Sequence, residues 1–225
     1  MPSKYIIDLE QVHRSLLSVQ RNFEAINEAI AMNREPMRDE IINNMLAGYE
    51  YLNRVILQKD IKLLSPSGLD HFLELNNIVL CGTDLEKRKD FKEHIITNTN
   101  RFYEQKDFSI STMRAWAEKH KKDSPWKQAA GAYIMQISQP QLFHEGNHRT
   151  GALLMSSILV QSECPPFVLS VDNAKAYFDP SSLAKSTNKN ETYSKLYKLP
   201  KIKKNFAKFL EKQAVSSYRI KRSKK

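Results

Sequence analysis

A chain of 225 residues can build one sizeable core, or one core with a small appendage, and its six glycines favour a mainly helical protein. The net charge of +10 suggests a nucleic-acid binder until it is located: residues 195–225 hold 12 of the 35 Lys and Arg against one acid, Glu211, leaving 23 basic and 24 acidic side chains in the body. Two cysteines, Cys81 and Cys164, exclude a disulfide framework and a zinc–cysteine pattern.

The opening MPSKYIIDLE lacks the apolar stretch of a signal peptide, and the apolar run Gly151 to Val160 is about half of a membrane span. The expectation is a soluble cytoplasmic protein, or one exported without a cleavable signal peptide. Leu9, Val12, Leu16, Val19, Phe23, Ile26 and Ile30 step by three and four, giving one apolar stripe over about six turns of helix. Asn33 to Pro36 interrupts it, and Met37, Ile41, Met45, Tyr49, Leu52 and Ile56 continue as a second amphipathic helix. An N-terminal helical hairpin over 1–60 follows, with a homodimer seam as the other use of the stripe. Thr83 with Glu86 predicts a capping box opening a helix to about Arg101. Phe102 to Ser109 predicts a loop, and Ser124-Pro125 a helix start that runs to Ser138, before Gln139-Pro140. GALLMSSILV (151–160) is apolar nearly all round, as a central helix would be. Phe167 to Val171 is a candidate strand.

The chemistry concentrates in QPQLFHEGNHRTGA (139–152). Gly146-Asn147 opens the buried helix, whose unpaired N–H groups and partial positive charge favour anions. Gly146 would allow close approach of a phosphate, Asn147 and Arg149 would add donors, and Glu145 would hold Mg²⁺ bridging phosphate oxygens. The plain alternative is an ordinary helix start with a solvated Glu and Arg.

This stretch resembles the Fic/Doc (Fido) family, whose motif reads HxFx[D/E]GN[G/K]RxxR; Phe143, Glu145, Gly146, Asn147 and Arg149 match in register. Met113, Trp116 and the Ala129-Ala130 helix are similar to the helices before that motif, and Tyr177 to the aromatic residue at the adenine. The resemblance implies an all-α, Fic-like helical domain over 61–194 with at most a small β-hairpin flap, at Phe102 to Ser109. It further implies ATP and Mg²⁺ binding, nucleotide contacts from Phe143, Gly146, Asn147, His148, Arg149 and Tyr177, and transfer of AMP or a related phosphate-containing group to a hydroxyl of a protein target. Three positions depart from the pattern. Gln141 stands where the family has its general base, and a neutral amide cannot accept a proton near pH 7. His148 follows the asparagine, and Ala152 replaces the second arginine. A catalytically impaired pseudoenzyme that binds a nucleotide or a protein is therefore the second functional class.

His144-Glu145-x-x-His148 also reads as the zinc hydrolase signature HExxH, which needs one continuous helix through both histidines. Pro140 and Gly146 instead start the helix inside it. His13, His71, His94 and His120 read as ordinary surface or core histidines, and Asp172 and Asp179 as helix caps. In the basic tail, 195–225, Ile202, Phe206, Phe209 and Leu210 share a helical face that would dock on the core, its lysines free for anionic lipid or nucleic acid. Arg219 to Lys225 is expected to be disordered.

Overall fold

The computed structural model describes residues 3–222. Its elements are β1 (Tyr5–Ile7), α1 (Leu9–Arg21), α2 (Phe23–Ala29), α3 (Asp39–Tyr51), α4 (Leu69–Cys81), α5 (Leu85–Asp90), α6 (Lys92–Glu104), α7 (Ile110–Lys119), α8 (Pro125–Ile137), α9 (Asn147–Gln161), α10 (Ala174–Lys185), α11 (Leu199–Lys212) and β2 (Arg219–Lys221). Among the described residues the protein is all-α apart from one antiparallel pair of three-residue strands.

α9 lies at the centre, packed chiefly on α8 and also on α3 and α4. Its all-round apolar composition explains this, since only a helix surrounded by others can bury Leu153, Leu154, Met155, Leu159 and Val160 together. Gly151 permits the close approach of α8: a Cβ there would stand 2.5 Å from the Tyr133 ring. α8 starts as its sequence predicts, with Ser124 accepting from Lys127 N–H and Pro125 in the first turn. α11 buries Ile202, Phe206 and Leu210 against α8 and α10, and Phe206 stacks on Tyr133 at 5.1 Å.

Several local expectations are corrected. The first stripe is not one helix: it breaks at Asn22, whose side chain bonds the Ser18 carbonyl and competes with the helical ladder. Val12, Leu16, Val19, Ile26 and Ile30 are nevertheless buried within their own chain. The N-cap near residue 84 is Asp84, not Thr83; its carboxylate accepts from Glu86 N–H, and the helix is interrupted at Phe91. The loop expected over Phe102 to Ser109 is shorter: α6 continues to Glu104, and residues 105–109 lead into α7. Phe167 to Val171 is extended but unpaired, its carbonyls instead taken by Tyr49, Ser156, Asn173 and Ser15 side chains. Arg219 to Lys221 is ordered as β2, paired with β1 in the register Tyr5↔Lys221, Ile6↔Ile220, Ile7↔Arg219. Ser223 to Lys225 lie outside the described residues.

Candidate functional site

The loop from Gln139 to Gly146 runs from the end of α8 to the start of α9 and is anchored from beneath. Phe143 is fully buried, stacked on Phe102 at 5.3 Å and edge-on to Phe72 at 5.5 Å. Asn147 closes the loop: its side-chain oxygen accepts from Phe143 N–H at 3.0 Å and its amide donates to the Phe143 carbonyl at 2.8 Å. Both ends of that amide are therefore engaged in holding the loop, and the backbone N–H of Asn147 remains unpaired among the described residues.

Two buried asparagines brace the loop from outside. Asn76 in α4 donates to the Glu145 carbonyl and the Thr150 hydroxyl, both at 3.0 Å. Asn98 in α6 donates to Asn76 at 3.2 Å and accepts from His144 N–H at 2.7 Å. A fully satisfied buried network of this kind fixes one geometry. Neither residue stood out in the sequence, although Asn76-Asn77 interrupts an apolar helix and a polar side chain there needs a partner.

Gly146 has a left-handed backbone, φ 74°, as cap of α9. Its missing side chain serves packing rather than ligand approach. A Cβ would lie 2.8 Å from the Asn76 amide and 3.3 Å from Leu80 and Val79. No side chain caps α9, and among the described residues the N–H groups of Asn147, His148 and Arg149 meet no acceptor. The first turn is thus an open set of donors at the positive end of the helix.

Arg149 reaches from that turn to the Val79 carbonyl, one of the last carbonyls of α4. Burial lowers its pKa, against which Glu145, Glu40 and Glu35 act. Since a guanidinium carries five donors, the bond to Val79 leaves others for an anion. Glu145 is exposed, with His94 Nε2 at 3.7 Å, so His94 joins the site that the sequence had left it out of. Among the described residues no group of three or more His, Cys, Asp or Glu could hold a metal. The donor set on offer is one carboxylate, which suits Mg²⁺ only if phosphate and water complete the shell.

His148 turns inward. Its Nδ1 lies 2.9 Å from the Tyr133 hydroxyl, and burial, with Arg34 and Lys185, pushes its pKa down to about 3, so it is neutral. Tyr177 is buried, its hydroxyl 2.9 Å from that of Tyr133 and donating to the His148 carbonyl at 3.3 Å. His144 is exposed before the helix, its ring facing His94 at 6.1 Å. The two histidines of the HExxH pattern therefore have different surroundings. Gln141 is half-buried and turned back on α8, donating to the Ile137 carbonyl at 3.0 Å, while Arg101 donates to its backbone carbonyl at 3.1 Å.

A cavity of about 220 Å³ adjoins the first turn of α9, lined by His148, Arg149, Ala152, Tyr49, Tyr177 and Arg34. Arg34 comes from the segment between α2 and α3, lies over the Phe178 ring at 5.2 Å and donates to the Ser182 hydroxyl. Asp179 does not cap a helix: it accepts from Ala31 N–H at 2.9 Å and pairs with Lys175, tying α10 to the end of α2. Compared with protein-family models, curated proteins and solved structures, the chain finds no match.

Proposed function

We propose that this chain is a Fic-like nucleotide-binding protein that takes the phosphates of ATP on the first turn of α9. The observation that carries the reading is the uncapped start of a central helix, held rigid by Asn76, Asn98 and Asn147 beside an arginine with donors to spare. Glu145 would hold Mg²⁺ together with phosphate oxygens, and the cavity at Tyr177 would take part of the base. Transfer of AMP to a protein hydroxyl would form a bond from that oxygen to the α-phosphorus as pyrophosphate leaves. The hydroxyl proton then needs an acceptor.

His144 and His94 are imidazoles near Glu145, but no acceptor stands at position 141, which supports the second reading, an impaired enzyme or pseudoenzyme. The Gln141 amide is committed to Ile137, and His148 is buried against Tyr133. Loss of a general base removes about 10²–10⁴-fold in rate. Calorimetry with ATP and Mg²⁺ is expected to show binding by the wild type and about 10–100-fold weaker binding by Arg149→Ala, as loss of a charge-assisted bond implies. Equal affinities, or no binding by the wild type, would refute the site. Gln141→His is expected to raise transfer of labelled AMP. Wild-type transfer at an ordinary enzyme rate, unchanged in Gln141→Ala, would refute the missing base.

A further inference from the structure

A second cavity lies away from the start of α9. About 870 Å³ opens between the segment before α4, α7, and the later turns of α9, within the range of roughly 300–1,000 Å³ usual for small-molecule sites. Its accessible apolar side is formed by Leu64, Pro66 and Ile158, over the buried Leu63 and Leu154. The Trp116 indole also lines it and is held firmly. Its edge rests on Gly131, where a Cβ would stand 2.4 Å away, and it stacks on His120 at 4.6 Å.

The polar groups of this groove divide sharply into committed and uncommitted. Glu118 pairs with Lys121, His120 with Asp123, and Asp60 is engaged with another group. The Gln128 amide donates to the Lys121 and Asp123 carbonyls, and the Gln161 amide to the Ile61 carbonyl. Arg114 differs. Its Nε is buried without a hydrogen-bond partner, and among the described residues no ion pair engages its guanidinium. A guanidinium partly removed from water and left unpaired calls for an anion.

We propose that this groove binds an organic anion, with its apolar body on Trp116, Pro66 and Ile158 and its acidic group on Arg114, Lys62 adding charge at the rim. The site is independent of the one at Gly146 to Arg149. Because Arg114 has no hydrogen-bond or ion-pair partner among the described residues, replacing it with Gln should leave the fold intact.

The probe is anilinonaphthalene sulfonate, whose fluorescence reports transfer to an apolar site, titrated against the full chain. The uncharged N-phenyl-1-naphthylamine serves as its neutral counterpart. Wild type is expected to bind the sulfonate at one site. Arg114→Gln is expected to weaken it about ten-fold or more while changing the neutral dye less than two-fold. Arg114→Lys should recover part of the loss, and Arg149→Ala should change nothing. Ala115 is exposed on the same wall, and Ala115→Trp should block both dyes by filling the groove. Equal sulfonate affinity in wild type and Arg114→Gln, or undiminished binding in Ala115→Trp, would overturn the proposal. Displacement of the dye by inorganic phosphate at equal concentration would overturn the apolar half of it.

Discussion

His148 shows what one buried side chain costs. Its imidazole is held neutral, with a pKa near 3, whereas in the unfolded chain it titrates near 6.5. Between those values the unfolded state binds the proton and the folded state does not. The stability is therefore fully present above pH 6.5 and is lost as pH falls toward 3, at up to about 1.4 kcal/mol per pH unit. His148→Gln keeps an acceptor for the Tyr133 hydroxyl and removes the titration. Urea melts at pH 7 and pH 4.5 should show a shallower acid loss in the variant than in wild type; parallel losses would exclude His148 as the source. Lys189 behaves in the same sense at higher pH. It is buried, and burial with Lys203 and Arg101 nearby pushes its pKa down to about 6. Against this, its amine donates to the Met135 carbonyl and lies over the Phe108 ring, contacts that favour the ammonium. With the folded pKa below the unfolded one, stability from this residue should rise with pH from about 6 to 10.5. Lys189→Met should flatten that rise in melts at pH 7 and pH 10, whatever constant loss follows from freeing the carbonyl.

At the scale of elements, the features legible in the sequence are those with local causes. Ser124-Pro125 sets the start of α8, Gly146-Asn147 that of α9, and the all-round apolar run puts α9 in the middle. What was not legible depends on partners distant in sequence. Asn76 and Asn98 brace the motif loop from helices far upstream, and no local pattern announces them beyond a polar residue on an apolar face. Gly146 reads like a phosphate-loop glycine, yet what its missing side chain accommodates is α4. The break at Asn22, whose side chain and backbone both bond the Ser18 carbonyl, falls within an unbroken hydrophobic period, which periodicity alone does not register. Gln141 illustrates the limit for function: on the proposed Fic-like reading it stands where a base is expected, but its bond to Ile137 appears only in three dimensions.

For the whole molecule, the basic tail divides differently than its charge suggests. α11 belongs to the core through Phe206 and Leu210, and β2 belongs to the N-terminus. Lys4 pairs with Glu163 at 2.6 Å, and Arg219 covers the Tyr5 ring at 4.2 Å and donates to the Glu163 carbonyl, so the strand pair is fastened to the end of α9. Deleting Arg219 to Lys225 should therefore lower the melting temperature, by about 4–8 °C if on the order of 2 kcal/mol is lost. An unchanged thermal melt would show that the pairing contributes nothing. The same deletion removes five basic side chains, so any binding to anionic lipid or nucleic acid should fall and become less sensitive to salt.

The pairing of β1 with β2 also has a temporal side. During synthesis, β1 leaves the ribosome well before β2 and must wait for nearly all the described chain before its partner emerges. Until then Tyr5 to Ile7 is an unpaired, partly apolar edge, the kind of segment that recruits chaperones or a neighbouring nascent chain. The helices around α9 can assemble without it, whereas the strand pair closes a very long loop and should be the last contact to form.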